Sequence, residues 1–591
     1  MPVVGTRPKE IQDIHSNHLK HVYFCLIMKD DKGNYLDTAE GLTEHLLDRF
    51  RFSPTAHQYQ AFHVFAQYYL STRFRSVYLL KGSAGTGKTS LIATLSGFFK
   101  DLNRPVVMMA PTGRAAKVIS KKTKAPAKTL HRHIYITEKT SSGVYFHRAE
   151  NRDHPDTVYV IDEASMLGEE GGMNNLLRDV IEFVMGVHTN AMLIITGDEA
   201  QLPPVGSDVS PALDADHLKR VYQLEVYEVR MRDVKRQALE SAVLLNANKL
   251  RMALGFEEPK VRLFVNGDDV RILEHKGEAL EEYSMRFDSK RQDKIVLITF
   301  SNYWANIFNK AYRATLYEDV SMPQIQDRIM VVKNNYAWSN QDMPFLANGE
   351  TGIIQKLYMN TLENRYGLQW IDADIEFENL AGTPVEMKGK VILTLLDSPD
   401  ASLSHETFQK VVKGRKKDAA TEKAEGVYID KDPYINALQI KYAYAITGHK
   451  SQGGQWEEVI IAFEPMYPHV SIQEYVRWSY TAITRAERRV YLLQCPFIDT
   501  EDAQEVCYRN NFVFNPDVLQ VQGNFSDEER AYLEQYGPSL IRLLNGQIPA
   551  NTAERKRMIQ IVNKELEAHD LQGLALRKYI DELEKFEAKL R

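Results

Sequence analysis

The octet Gly82-Ser83-Ala84-Gly85-Thr86-Gly87-Lys88-Thr89 combines residue types and spacing that suit the phosphates of a nucleotide. It follows the apolar run Val77–Leu80 and opens a helical stretch, the context this pattern needs. Glycines let successive backbone N–H groups turn inward on phosphate oxygens, and the helix adds its positive end. We read Gly82, Ala84, Gly85, Thr86, Gly87, Lys88 and Thr89 as an ATP cradle. Lys88 reaches the β- and γ-phosphates, and the Thr89 hydroxyl ligates Mg²⁺. A second apolar run, Val158–Ile161, ends in Asp162-Glu163. Behind a phosphate loop such a pair divides its work: Asp162 holds Mg²⁺ through its water shell, and Glu163 polarises the attacking water. A third run ends Thr196-Gly197-Asp198-Glu199-Ala200-Gln201. There the Gln201 amide can sense the γ-phosphate or water, or can simply belong to a turn stiffened by Pro203 and Pro204. Gln58 can clamp adenine, because an amide both donates to and accepts from the Hoogsteen edge.

These loops need a parallel sheet beneath them. Short apolar strands alternate with helical stretches in two regions, which reads as α/β. The first runs from about Ser53 to Val234. The second is split between Ile295–Thr299 on one side and Val459–Phe463 with Val490–Leu493 on the other. Between its halves, Phe345 to Ile440 reads as an inserted small β domain with a charged loop at Lys413–Lys417. Ile134 to Arg148 reads as a hairpin turning at Ser142-Gly143, and the chain beyond about Ser526 as a charged helical tail.

Composition bounds the rest. At 591 residues the chain exceeds one hydrophobic core, so several domains are expected. Its 44% apolar and 26% charged residues are those of an ordinary globular protein. A net charge of −6 argues against coating nucleic acid but leaves room for a local basic groove. Cys25, Cys495 and Cys507 give neither a disulfide framework nor metal-ligand spacing. The opening Met1–Arg7 has no apolar leader, so a cytoplasmic protein with no membrane contact is expected.

Read in order, these residues resemble the superfamily 1B DNA helicases, the RecD-like, Pif1-like and Dda-like branch, over roughly residues 50–500. Ala110-Pro111-Thr112-Gly113-Arg114 is similar to motif Ia, Thr129-Leu130-His131 to the next DNA-contact motif, and Gly197–Gly206 to motif III. Ala445–Gly454 is similar to motif V and Tyr480–Ala486 to motif VI; other P-loop ATPases lack these two. For motif IV, Asp233–Gln237 fits best, with Arg230 and Arg232 close by.

The resemblance implies two RecA-like lobes with ATP between them. It places the first lobe at 46–240, with a hairpin insertion at 132–157, and the second at 241–345 and 441–515. An SH3-like insertion would occupy 346–440 and a helical tail 516–591, leaving 1–45 without a role. It implies Arg485 and Arg236 as cations for the transferring phosphate, and Gly453 as a nucleotide contact. Pro111, Thr112, Thr129, His131, Thr447 and His449 become grips on single-stranded DNA, and an aromatic on the hairpin, Tyr145 or Phe146, a wedge. The implied activity is 5′-to-3′ ATP-driven movement by a monomer that unwinds duplex or forked DNA in repair, recombination or replication. An RNA helicase, a decayed ATPase and a clamp loader are the rivals. Lys88, Glu163 and Arg485 being in place speaks against decay, and Ala445–Gly454 with Tyr480–Ala486 against the clamp loader.

Overall fold

A computed structural model describes residues 38–497, apart from short internal stretches of which 233–240 and 422–431 are the longest. Among the described residues eight strands precede residue 232: β1 Ser76–Gly82, β2 Val106–Ala110, β3 Ala127–Thr129, β4 Tyr135–Thr140, β5 Gly143–Arg148, β6 Val158–Ile161, β7 Met192–Gly197 and β8 Glu225–Met231. Six of them form a parallel sheet in the order β3-β2-β6-β7-β1-β8. Its central strands are buried along their lengths, which is why they read as unbroken apolar runs rather than alternating ones. Separate apolar cores pack on its two faces, one around Phe62, Phe65 and Phe99 and one around Leu177, Val180 and Leu218. Every catalytic loop predicted for this lobe leaves the same end of the sheet, where strand ends meet helix starts.

The second lobe repeats the plan. β9 Val270–Leu273, β10 Ile295–Thr299, β16 Ala445–Thr447, β17 Trp456–Ala462 and β18 Ala486–Leu493 form a parallel sheet in the order β16-β10-β17-β18-β9. Between β10 and β16 the chain builds a closed barrel from β11 Arg328–Val331, β12 Thr351–Arg365, β13 Leu368–Glu378, β14 Pro384–Ile392 and β15 Leu438–Tyr442. This barrel begins before residue 346, where the sequence reading starts its insertion, and ends beyond residue 440. The reason is closure: β11 pairs with both β12 and β15, so the first strand is also the seam. A short apolar run such as Arg328–Val331 carries no mark of which sheet it will join. The barrel is fastened to its lobe by the buried Arg313–Asp327 pair at 2.9 Å, with the Tyr444 hydroxyl donating to the same carboxylate at 2.9 Å.

The segment Lys413–Lys417 is helical, inside His405–Thr421, and not the loop expected from its charges. Its charge is answered from the barrel side, since Arg415 Nε lies 2.8 Å from Asp432. Gly414 serves close approach, because a Cβ there would stand 2.4 Å from the Tyr366 ring. β4 and β5 pair with each other outside the main sheet, with Glu138 opposite Tyr145 and Thr137 opposite Phe146. The side chains of Tyr145 and Phe146, the segment 1–37 and the tail 516–591 lie outside the described residues. Among the described residues no helix is long and apolar enough to cross a membrane.

Candidate nucleotide and nucleic-acid site

The phosphate loop hangs between β1 and the helix Lys88–Asp101. Gly85 and Gly87 take left-handed backbones, φ 80° and 91°, which a side chain would resist. At Gly87 a Cβ would also meet the Gln58 amide nitrogen at 2.6 Å. Gln58 is buried against this loop: its Nε2 donates to the Thr86 carbonyl at 2.9 Å, and its Oε1 accepts the Thr55 N–H at 3.0 Å. It therefore buttresses the loop whatever it offers a base. Lys88 Nζ folds back on the Gly82 and Ser83 carbonyls, at 2.5 and 3.2 Å, holding its charge at the loop mouth.

β6 delivers the carboxylates. Burial lifts the Asp162 carboxyl to about 6, the Glu163 charge adds to this, and Lys88 opposes it. Glu163 has a left-handed backbone, φ 54°, unusual for a non-glycine and of a kind that concentrates at functional sites. Beside it, Ser165 Oγ, Thr196 Oγ1 and Gln201 Oε1 are buried without hydrogen-bond partners. Buried polar atoms left open near a glycine cradle fit a hydrated ion and a phosphate. The donor set therefore suits Mg²⁺ with ATP, while the described residues hold no cluster of three or more His, Cys, Asp or Glu for another metal.

The second lobe reaches across the cleft. Arg485 is 4% exposed, and its Nη1 stands 3.9 Å from Glu163 Oε1. It also donates to Thr481 O at 3.0 Å, Gly454 O at 3.3 Å and Thr484 Oγ1 at 3.1 Å, so the guanidinium is aimed by its own lobe. Gln452 Nε2 donates to the Leu202 carbonyl at 2.7 Å. Gly453 lies against Thr112 and Ala115 of the first lobe, with φ 73° and a would-be Cβ 2.5 Å from the Ala115 Cβ. Lacking a side chain, it lets the two lobes touch.

Arg236 lies outside the described residues. Arg230 is paired with Glu199 at 3.0 Å. Arg230 and Arg232 both line a cavity of about 520 Å³ with Lys81, Ser83, Asp198, Arg251 and Arg477. Burial lowers the Arg232 pKa, and the charges of Arg230 and Arg251 lower it further. The sequence leaves open which of Arg230, Arg232 and Arg236 is the cation, because three arginines within seven positions look alike until β8 ends at Met231.

The proposed DNA grips are less free. Thr112 Oγ1 accepts the Ala115 N–H at 3.2 Å, and Thr129 Oγ1 the Arg132 N–H at 3.3 Å, so each caps its own helix. A capping hydroxyl still has its proton to donate. Thr447 is buried at 8% exposure. Burial lowers the pKa of His131 and of His449, leaving neutral imidazoles that offer hydrogen bonds rather than charge. Pro111 precedes Thr112 where β2 ends. Glu350 of the barrel seats its carboxylate so close that a Cβ on Gly113 would lie 2.1 Å away, and it pairs with Lys117 at 3.3 Å.

Comparison with known proteins yields two family matches: an AAA domain over residues 57–262, and a UvrD-like helicase C-terminal domain over 442–493. An uncharacterized protein of Methanocaldococcus jannaschii is 25% identical over 447 residues, covering 70% of this chain; the chain spans 36% of that protein's length. An uncharacterized protein of Acanthamoeba polyphaga mimivirus is 21% identical, covering 71% of this chain and 96% of its own. The ATP-dependent RecD2 DNA helicase of Deinococcus radiodurans is 25% identical over 172 residues, 29% of this chain and 21% of that one. Among solved structures, Pif1 helicase from Candida albicans aligns at 15% identity over 77% of this chain and 98% of its own, TM-score 0.40. Pif1 from Bacteroides, in complex with ADP-AlF3 and ssDNA, aligns at 16% identity over 82% and 98%, TM-score 0.39.

Proposed function

We propose that the chain is a superfamily 1B helicase of the Pif1- and RecD-like kind, an ATP-dependent DNA helicase, a reading supported by its matches to an AAA domain and a UvrD-like helicase C-terminal domain. It translocates 5′ to 3′ on single-stranded DNA and opens duplex or forked DNA. One observation carries the reading: Arg485 of one lobe stands 3.9 Å from Glu163 of the other, beside the Lys88 loop. Such a pair can act on a triphosphate only when both lobes close, so hydrolysis is bound to a movement.

In this mechanism the cradle amides and Lys88 hold the β- and γ-phosphates, and Gln58 faces adenine. Thr89 and Asp162 would hold Mg²⁺, which would supply neutralisation of charge on the phosphate oxygens. Glu163 takes the proton of the attacking water and Gln201 orients it. Arg485 answers the charge that develops on the γ-phosphate, a role worth on the order of 10³–10⁵ in rate. The second cation is Arg236 or, among the described residues, Arg232 or Arg230, which line the cavity beside Ser83. Pro111, Thr112, Thr129 and His131 grip the strand from the first lobe, Thr447 and His449 from the second. The hairpin within 132–157 acts as the wedge and the barrel as an SH3-like strap. The protein acts as a cytoplasmic monomer in repair, recombination or replication.

The test is steady-state ATP turnover with matched single-stranded DNA and RNA oligomers. Stimulation by DNA well above RNA is expected. Stimulation by RNA alone would assign the motor to RNA, and none by either would remove the motor.

A further inference from the structure

The helix Ile472–Ile483 turns two consecutive side chains toward the first lobe. Tyr480 is 1% exposed; its hydroxyl accepts the Ala84 N–H at 3.1 Å and donates to Asp198 Oδ2 at 2.5 Å. Thr481 Oγ1 accepts the Leu202 N–H at 2.9 Å. Arg485 follows just past the helix end. One short segment thus touches the phosphate loop, the turn after β7 and Glu163. Tyr480 makes two of those links with a single oxygen.

A phenol can accept and donate at once, and phenylalanine would keep the ring while losing both bonds. Burial holds the Tyr480 hydroxyl protonated, with its pKa well above the usual value, so the donated bond persists over the working pH range. Asp198 is 2% exposed, and its Oδ1 accepts the Ala200 N–H at 3.0 Å. Its Oδ2 relies on Tyr480, and a buried carboxylate oxygen stripped of its donor is costly. Ala84 is a residue of the phosphate loop, so a shift there is felt by Tyr480, and through its helix by Arg485.

We propose that Tyr480 is a positioning residue for ATP hydrolysis, locking the phosphate loop to Asp198 from the opposite lobe and so fixing where Arg485 stands. This rests on the ATPase reading above. The hydroxyl acts through Ala84, Asp198 and the helix that ends at Ile483, two residues before Arg485.

The experiment compares full-length wild type, Tyr480→Phe, Asp198→Asn and the double variant. It reads DNA-stimulated turnover, ATP binding by fluorescence titration, and amide hydrogen exchange without nucleotide. Tyr480→Phe should lower kcat about tenfold or more while ATP Kd stays within about threefold, a split expected of transition-state positioning. Exchange should quicken in peptides spanning Ala84. The double variant should fall within about twofold of the worse single, because both changes break one link. A Tyr480→Phe protein with wild-type kcat, tighter ATP binding without a kcat loss, or losses that multiply in the double variant would each overturn the inference while leaving the ATPase reading intact. A wild-type chain that neither binds nor hydrolyses ATP would sink both.

Discussion

At the nucleotide cleft, Lys88, Asp162, Glu163 and Arg485 converge from two lobes, and Gln201 Oε1, Ser165 Oγ and Thr196 Oγ1 are buried without hydrogen-bond partners. Along the proposed DNA track the side chains are already occupied. Thr112 and Thr129 cap their own helices, and the Glu350 carboxylate rests at the start of the Gly113–Thr123 helix, where a strand phosphate would come. The contrast follows from what each ligand demands. A triphosphate with its metal needs a few strong groups fixed in advance. A strand that must be gripped and released needs contacts that can be traded, and a helix end held by an internal carboxylate is one that a phosphate can take over.

If the cleft is pre-organised, breaking it should have the largest effects. Lys88→Ala should abolish turnover, and Glu163→Gln should keep ATP bound while turnover falls below a few per cent, roughly the loss expected when a general base is removed. Single-turnover kinetics beside nucleotide titration checks both. Retained turnover in Glu163→Gln would take water activation away from that residue. Arg485→Ala should lower kcat by roughly 10³ with ATP Kd changed far less. A variant with normal kcat and only a raised KM would make Arg485 a ground-state contact.

The hairpin bears on strand separation rather than on hydrolysis. Alanine at the outward aromatic of β5, Phe146 in the preferred assignment and Tyr145 otherwise, should impair strand separation about tenfold. ATPase on single strands should stay within about twofold, because base stacking is worth about 1–3 kcal/mol. Parallel loss of both activities would mean that the ring only packs the hairpin.

How much of this the sequence disclosed follows the same divide. Gly82–Thr89 and Asp162-Glu163 could be read because their chemistry lies within a few consecutive residues behind an apolar strand. Motifs V and VI could be read as a resemblance. What stayed hidden depends on distant segments. Tyr480 meets Ala84 across 396 positions and Glu350 meets Lys117 across 233, and neither carries a local pattern. The barrel seam at Arg328–Val331 and the helix through Lys413–Lys417 were misread for the same reason. Pairing partners and packing against Tyr366 decide them, and local charge does not.

The DNA side predicts smaller, salt-sensitive effects. Glu350→Gln should tighten binding of a single-stranded oligomer about threefold at low salt, and the gain should shrink as salt rises. Fluorescence anisotropy decides this, and weaker binding would make Glu350 a structural support. A smaller effect still concerns pH. Burial and the Lys441 charge push Lys450 down to about 8 in the free protein. A bound phosphate would raise that value, so affinity should decline as pH climbs through 8. Lys450→Gln should flatten the profile, and a wild-type affinity level from pH 7 to 9 would exclude Lys450 from the strand.

On this mechanism, closure of the two lobes on ATP drives one-way movement along DNA. Strand displacement by the full chain on forked, 5′-tailed and 3′-tailed duplexes, with and without ATP, tests it most directly. The account predicts ATP-dependent displacement from forked and 5′-tailed substrates and little from the 3′-tailed one. Displacement of the 3′-tailed duplex alone would reverse the proposed polarity, and displacement that does not need ATP would contradict the claim itself.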